Sequence, residues 1–262
     1  MPDTRQYTPV FKGELPSDTE SRWEAIRRFI SRWCRPADSP LPETYNGNSK
    51  LIDNANAISD GAVSYSIGQW LALVENSAIL DSPHIRDCPV IQPIEEFFKD
   101  GKIGNATVIL ESGEGDVYWA VENDRLRDDD PPVHIYQKYD PSSPALVGRN
   151  GSVSEFALKY VCLYNEHSVG NTEWFSADGT EDDVRNVVDW FDYALAFDSD
   201  DGLFSHFELL ESNNIAAFVN GTRIEVSLFC DPAMLDMPQL LTTQMKEHIK
   251  LRERFKSSRP FE

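Results

Sequence analysis

With 262 residues and 40% apolar side chains, the chain can form one large domain or two small ones around a real core, which excludes wholesale disorder. Its 24 basic side chains face 44 acidic ones, giving a formal net charge of -20 and an isoelectric point near 4.6. A field of that sign repels phosphate backbones and anionic lipid, so nucleic acid and membrane surfaces are set aside as partners.

Cys34, Cys88, Cys162 and Cys230 lie far apart with no Cys-x-x-Cys pair, and the first twenty residues have neither a basic nor an apolar targeting region. Reduced thiols and a cytoplasmic protein are expected. No apolar run approaches the roughly 18 residues that span a bilayer.

Residues 1–20, rich in Pro, Asp and Thr, read as a flexible arm. A helix is expected from Ser21, with Glu24 completing a capping box and Trp23, Ile26, Ile30 and Trp33 on its apolar face. Arg22, Arg27, Arg28, Arg32 and Arg35 fall on the other faces, a solvated stripe that offsets acid elsewhere. Residues 36–60 are short of large apolar groups and read as a long surface loop. Ser66 is the expected N-cap of a second helix carrying Ile67, Trp70, Leu71 and Val74. Pro83, Pro89 and Pro93 then indicate a loop, an extended piece at 90–91 and a turn at 94–98. His84 and Cys88 stand four apart there, but nothing nearby supplies the further ligands a metal needs.

Residues 106–111, 115–122 and 133–136 alternate as strands of a meander, broken by a glycine-rich acidic turn and by Asp128-Asp129-Asp130-Pro131-Pro132. Val117, Trp119 and Val121 share one face, and Tyr118, Ala120 and Glu122 the other. Both faces carry bulk, so a helix is expected against the sheet. From Glu111 to Asp130 eight acidic residues meet only Arg125 and Arg127. Ser152 and Glu155 form a second capping box before a helix with Val153, Phe156, Ala157, Tyr160, Val161 and Tyr164 on one face.

The run GDVYWAVENDRL, then DDPPVHIY, a variable loop and SVSEFALKYVCLYNE resembles the SUKH superfamily, which includes fungal Smi and Knr type cell-wall regulators and bacterial proteins that neutralise toxins. The long Asn-rich loop before the second helix departs from the compact spacing of that family. The resemblance implies an α+β fold, a mostly antiparallel twisted sheet with helices packed against it, used as a protein-binding platform. It implies no catalytic residues; Tyr118, Trp119, Pro131, Pro132 and Phe156 carry over as structural markers alone.

Further on, Thr180 with Asp183 is expected to cap a helix whose face is Val184, Val187, Val188, Phe191 and Leu195. Nine acids between Asp178 and Asp201 meet only Arg185. Asp198-Ser-Asp-Asp-Gly is a poor calcium loop, because glycine stands fifth instead of sixth and Leu209 occupies the twelfth place. Asn220-Gly221 joins 215–219 to 222–229 as a hairpin, and Pro238 opens a last helix with Leu240, Leu241, Met245 and Ile249. Its far end, 246–259, holds six basic residues.

The expected organisation is an arm at 1–20, a SUKH-like core at 21–165 and a C-terminal extension at 166–262 packed as part of one unit. No Gly-x-Ser-x-Gly elbow, P-loop or dinucleotide fingerprint occurs, and the five histidines sit in unrelated contexts. The expected function is therefore non-catalytic: an immunity-like or regulatory domain that occludes a basic protein partner such as a toxin, with no cofactor and no metal. Glu114, Asp116, Asp124, Asp128, Asp129, Asp130, Asp182, Asp183, Asp189 and Asp192 are the candidate partner-binding groups. The rivals are an acid-lined metal-dependent hydrolase and a self-associating structural protein.

Overall fold

The computed structural model describes residues 8–33, 53, 56–57, 61, 63–76, 92–99, 102–112, 115–137, 145–165, 172–178, 185, 188–189, 191–197, 207–212, 215–220, 223–230 and 256–258. In chain order the elements are α1 (Thr19–Trp33), α2 (Tyr65–Asn76), β1 (Gln92–Lys99), β2 (Lys102–Glu111), β3 (Val117–Glu122), β4 (Pro132–Gln137), β5 (Ala145–Ser152) and α3 (Val153–Asn165). Then follow β6 (Thr172–Asp178), β7 (Tyr193–Phe197), β8 (Phe207–Ser212), β9 (Ile215–Asn220), β10 (Arg223–Cys230) and β11 (Lys256–Ser258). The fold is α+β with mostly antiparallel pairing. Its strands are divided between two compact units, Pro42–Leu158 with Ser199–Gly202, and Met1–Leu41 with Lys159–Asp198 and Leu203–Glu262. The division places α1 with the C-terminal strands, and its second boundary falls inside α3.

In the first unit β1 to β5 form a closed barrel, antiparallel throughout except where Phe98 of β1 meets Ala145 of β5 in parallel. The expected meander is present as β2, β3 and β4. Tyr118 and Ala120 lie opposite Tyr136 and His134, and with Ala106, Val108 and Leu146 the three apolar side chains fill the face turned from the helices. On the other face Trp119 meets Phe156 of α3 at 6.3 Å between ring centroids, and Phe156 meets Trp70 of α2 edge-on at 4.9 Å. The Trp70 indole donates to the Ile109 carbonyl at 3.2 Å. Every β3 residue after Val117 is buried, as expected of a strand covered on both sides.

Residues 94–98, expected to turn, are instead in β1. Pro93 stands second in β1, opposite Thr107 of β2, near the strand start where proline is tolerated. The cap of α2 also differs. The helix opens at Tyr65, and the Ser64 hydroxyl accepts the Ile67 N–H at 3.3 Å, so Ser64 does the work expected of Ser66. Ser66 N–H instead donates to the Asp129 carbonyl at 3.4 Å.

The α3 capping box forms as expected: Ser152 Oγ accepts the Glu155 N–H at 3.4 Å and Glu155 Oε2 accepts the Ser152 N–H at 3.3 Å. Gly151 precedes it with φ 72, and a Cβ there would stand 1.9 Å from Glu155 Oε2. Gly151→Ala therefore imposes a left-handed alanine and displaces the capping carboxylate. An expected loss of about 2 kcal/mol, from a urea midpoint, follows from those two effects.

In the second unit the sheet order is β11-β6-β10-β9-β8-β7. The expected hairpin appears as β9 and β10, with Asn220 opposite Glu225 and Val219 opposite Val226. The expected helix reaching Leu195 does not extend so far. The 193–197 segment is strand β7, with Leu195 and Phe197 buried opposite Leu209 and Phe207 while Ala194 and Ala196 are exposed. The period-two alternation prevails there over the helical one. A helical turn does occur just before it, with Asp189 N–H on the Arg185 carbonyl at 3.0 Å. Thr180, Asp183 and the helix expected from Pro238 lie outside the described residues. At 256–258, expected to belong to the basic end of that helix, the chain is strand β11, paired antiparallel with β6. Phe197 meets Phe207 edge-on at 5.5 Å, Phe207 stacks on Phe218 at 5.3 Å, and the buried Lys159 places Nζ 5.4 Å from the Phe197 ring.

The arm is docked from residue 8. The carboxylate of Glu211, 1% exposed on β8, accepts the N–H groups of Val10 and Phe11 at 2.8 Å and of Lys12 at 3.1 Å. Lys12 and Gly13 take φ of 54 and 84, curling the backbone around that anion. Phe11 is buried 5.8 Å from the Phe29 ring. Arg22 Nε donates to the Pro16 carbonyl at 3.0 Å and Arg32 Nη1 to the Thr8 carbonyl at 2.7 Å. Two members of the arginine stripe therefore hold the arm instead of facing only water. The α1 cap is Asp18, whose carboxylate accepts the Ser21 N–H at 2.8 Å; Ser21 itself lies inside the helix.

Cys162 is fully buried, and burial, followed by the Glu211 charge, pushes its thiol well above the ordinary thiol range. The native thiol is expected to resist a disulfide reagent until the unit unfolds, as peptide mapping after timed labelling reads out. Because the folded pKa is raised, the associated stability is complete below the unfolded value of about 8.5 and is lost as pH rises beyond it. A urea midpoint that falls from pH 8 to 10, with a shallower fall in Cys162→Ala, is the expected result.

Candidate docking surface

The acidic segment of the first unit begins in the β2–β3 turn. Ser112 Oγ donates to Asp116 Oδ1 at 2.8 Å and accepts the Val117 N–H at 3.1 Å, so Asp116 is bound into the hairpin. The next acids follow a 3-10 turn at Asn123–Arg125. Asp128 pairs with Arg125. Asp130 accepts the Ser154 N–H on Oδ1 at 3.0 Å and the Ser154 hydroxyl on Oδ2 at 2.6 Å, which adds a carboxylate to the positive end of α3. Asp124 and Asp129 project to solvent. The Arg127 guanidinium reaches back over Gly61, where a Cβ would lie 2.8 Å from Nη2.

These placements separate two kinds of carboxylate. Asp116, Asp128 and Asp130 organise the loop through those bonds, and Asp124 and Asp129 are exposed. Asp130→Ala is expected to cost about 1–2 kcal/mol through the two hydrogen bonds lost at the start of α3. Asp124→Ala is expected to stay within about 0.5 kcal/mol. Urea midpoints of the two variants make the comparison.

In the second unit Asp189 and Asp192 are exposed at the approach to β7, and the Asp192 N–H donates to Ser212 Oγ at 2.8 Å. Tyr193, 38% exposed, follows directly. Glu114, Asp182 and Asp183 lie outside the described residues.

The barrel also gathers polar groups that no sequence motif marks. His134 Nε2 lies 3.6 Å from Glu122 Oε1, and the His134 and Tyr136 rings are 6.4 Å apart. His134 is 1% and Glu122 8% exposed, and Tyr136 is fully buried. Burial, and then the Glu122 charge, raises the Tyr136 phenol above its ordinary range. An imidazole beside a carboxylate can exchange a proton, but this pair is enclosed by its own strands and offers solvent little access. The strand alternation was readable, yet only the pairing register brings His134 to the face of Glu122. Among the described residues, no group of three or more His, Cys, Asp or Glu side chains is placed to hold a metal ion. None of the helices among the described residues is long and apolar enough to cross a membrane.

Neither family models, nor curated proteins, nor solved structures give a match to this chain.

Proposed function

We propose that the chain is a non-catalytic, cytoplasmic protein-binding domain of the SUKH type, immunity-like or regulatory, which occludes a basic protein partner such as a toxin. The observation that carries this reading is the outward projection of Asp124, Asp129, Asp189 and Asp192 from a chain of net charge -20. Such a field raises the encounter rate with a positive partner and weakens as salt screens it. Asp116, Asp128 and Asp130 add charge from positions set by their own hydrogen bonds. Glu114, Asp182 and Asp183 extend the same two acidic segments in sequence. Support for the SUKH type comes from the order of β3, the Asp-Pro-Pro stop, β4 and the Ser-Val-Ser-Glu helix, with Asp130 joined to Ser154 at that helix start.

The test is affinity capture from the native cell with the full chain and with the combined Asp124→Asn, Asp129→Asn, Asp189→Asn and Asp192→Asn variant. A basic protein retained by the former at low salt, and lost from the latter, is expected. Equal capture by both would overturn the reading.

A further inference from the structure

We infer that the seat of the N-terminal arm, built around the Glu211 carboxylate, is a peptide-binding site that the arm fills in cis. Its occupant in trans is a partner segment of the arm's own chemistry, an aromatic residue with glycine two positions later. The acidic docking groups proposed above take no part in it. Arm, α1, β7 and β8 all belong to one compact unit.

The seat engages main chain more than side chains. Glu211, 1% exposed on β8, accepts the N–H groups of three consecutive residues, Val10 and Phe11 at 2.8 Å and Lys12 at 3.1 Å. From α1, Arg32 Nη1 donates to the Thr8 carbonyl at 2.7 Å. Backbone groups of this kind are common to all segments without proline at the donor positions. Two positions are selective. Phe11 is buried 5.8 Å from the Phe29 ring, so an aromatic side chain belongs there. Gly13 has φ 84, and a Cβ on it would stand 3.2 Å from the Ala194 carbonyl oxygen, so glycine belongs two residues later. The Lys12 side chain between them is exposed, which leaves that position open in sequence.

The arm is anchored at discrete points along a backbone of turns and bends. Glu14 N–H closes a turn onto the Phe11 carbonyl at 3.3 Å. Lys12, with φ 54, takes a left-handed conformation that a lysine rarely adopts, and the curl persists because Glu211 draws three amides together. When the arm leaves, a buried carboxylate loses three donors at once, so a segment that restores them is favoured.

The probe is an acetylated and amidated peptide of residues 8–15. A second peptide, N-methylated at its phenylalanine and lysine, keeps both side chains and loses two of the amide donors. The tethered arm competes at an effective concentration on the order of millimolar, so calorimetry uses the full chain carrying Phe11→Ala, whose own arm lacks its aromatic anchor. The unmodified peptide is expected to bind that variant, one per chain, at least about tenfold more tightly than the methylated one. In the native chain, excess unmodified peptide is expected to speed amide exchange at Val10, Phe11 and Lys12 by displacing the arm. That second measurement decides where the variant fails to fold. No binding to the variant, with native exchange unchanged, overturns the inference and makes the arm a fixed part of its unit. Equal binding of the two peptides overturns it as well, because Glu211 would then not be reading amides. Dimerisation of the native chain that the peptide dissolves would make a second copy the occupant, and overturn the partner assignment.

Discussion

Replacing Glu211 with alanine is expected to destabilise the unit that contains it by about 3 kcal/mol and to release the N-terminal arm. The carboxylate receives three backbone N–H groups while itself almost wholly buried, and hydrogen bonds to a charged group contribute about 1.5–3 kcal/mol each. The three do not add, because the arm can move into water once freed and recover part of the loss. Glu211→Gln keeps one acceptor oxygen and is expected to lose about half as much. Two readouts apply: the urea midpoint, and amide exchange at Val10, Phe11 and Lys12. Both variants should accelerate exchange at those three amides even where the sheet remains protected. A loss below about 1 kcal/mol, with the three amides still protected, would show that the arm is held by Phe11 and the arginines alone.

Phe156→Ala is expected to cost about 3–5 kcal/mol in the barrel unit. The ring is fully buried and contacts Trp70 and Trp119 together, so it joins α3, α2 and β3 in one aromatic cluster. Truncation leaves a cavity bounded by two indoles that cannot both move into it, because Trp70 is held by its hydrogen bond to Ile109. Phe156→Leu fills most of the volume and is expected to cost less than half as much. Chemical denaturation of the two variants reads the difference, and near-ultraviolet circular dichroism should change with the alanine variant because both tryptophans lose a neighbour.

The parts of the fold that were legible are those where a local pattern and a tertiary demand coincide. β3 and β4 alternate cleanly, and Trp119 and Tyr118 announce two covered faces, as the barrel and its helices require. Ser152 and Glu155 form their box because both partners lie within one turn. The misread parts depend on distant partners. Ser64 and Ser66 are equivalent as caps in sequence, and the carbonyls of Leu126 and Asp129 fix which amides of that turn face the barrel. Leu195 continues the helical spacing of the amphipathic run before it, but pairing with β8 makes 193–197 a strand. Glu211 carries no local signal at all: its role appears only when residues 10 to 12, two hundred positions earlier, fold onto it.

The candidate docking groups divide along the same line. Composition alone revealed the acidic excess, and the structure distinguishes Asp130, an extra cap for α3, from Asp124 and Asp129, which face water. A carboxylate that completes a helix terminus and one that steers a partner look identical in sequence.

The most direct measurement is the association rate of the captured basic partner with the full chain, recorded from low to high ionic strength. Steering by exposed carboxylates predicts a rate that falls about tenfold or more as the Debye length shrinks from roughly 30 to 8 Å. It also predicts a lower rate at low salt for the combined Asp124→Asn, Asp129→Asn, Asp189→Asn and Asp192→Asn variant. An association rate that is the same at both salt extremes, and the same in that variant, would contradict a docking role for these acids.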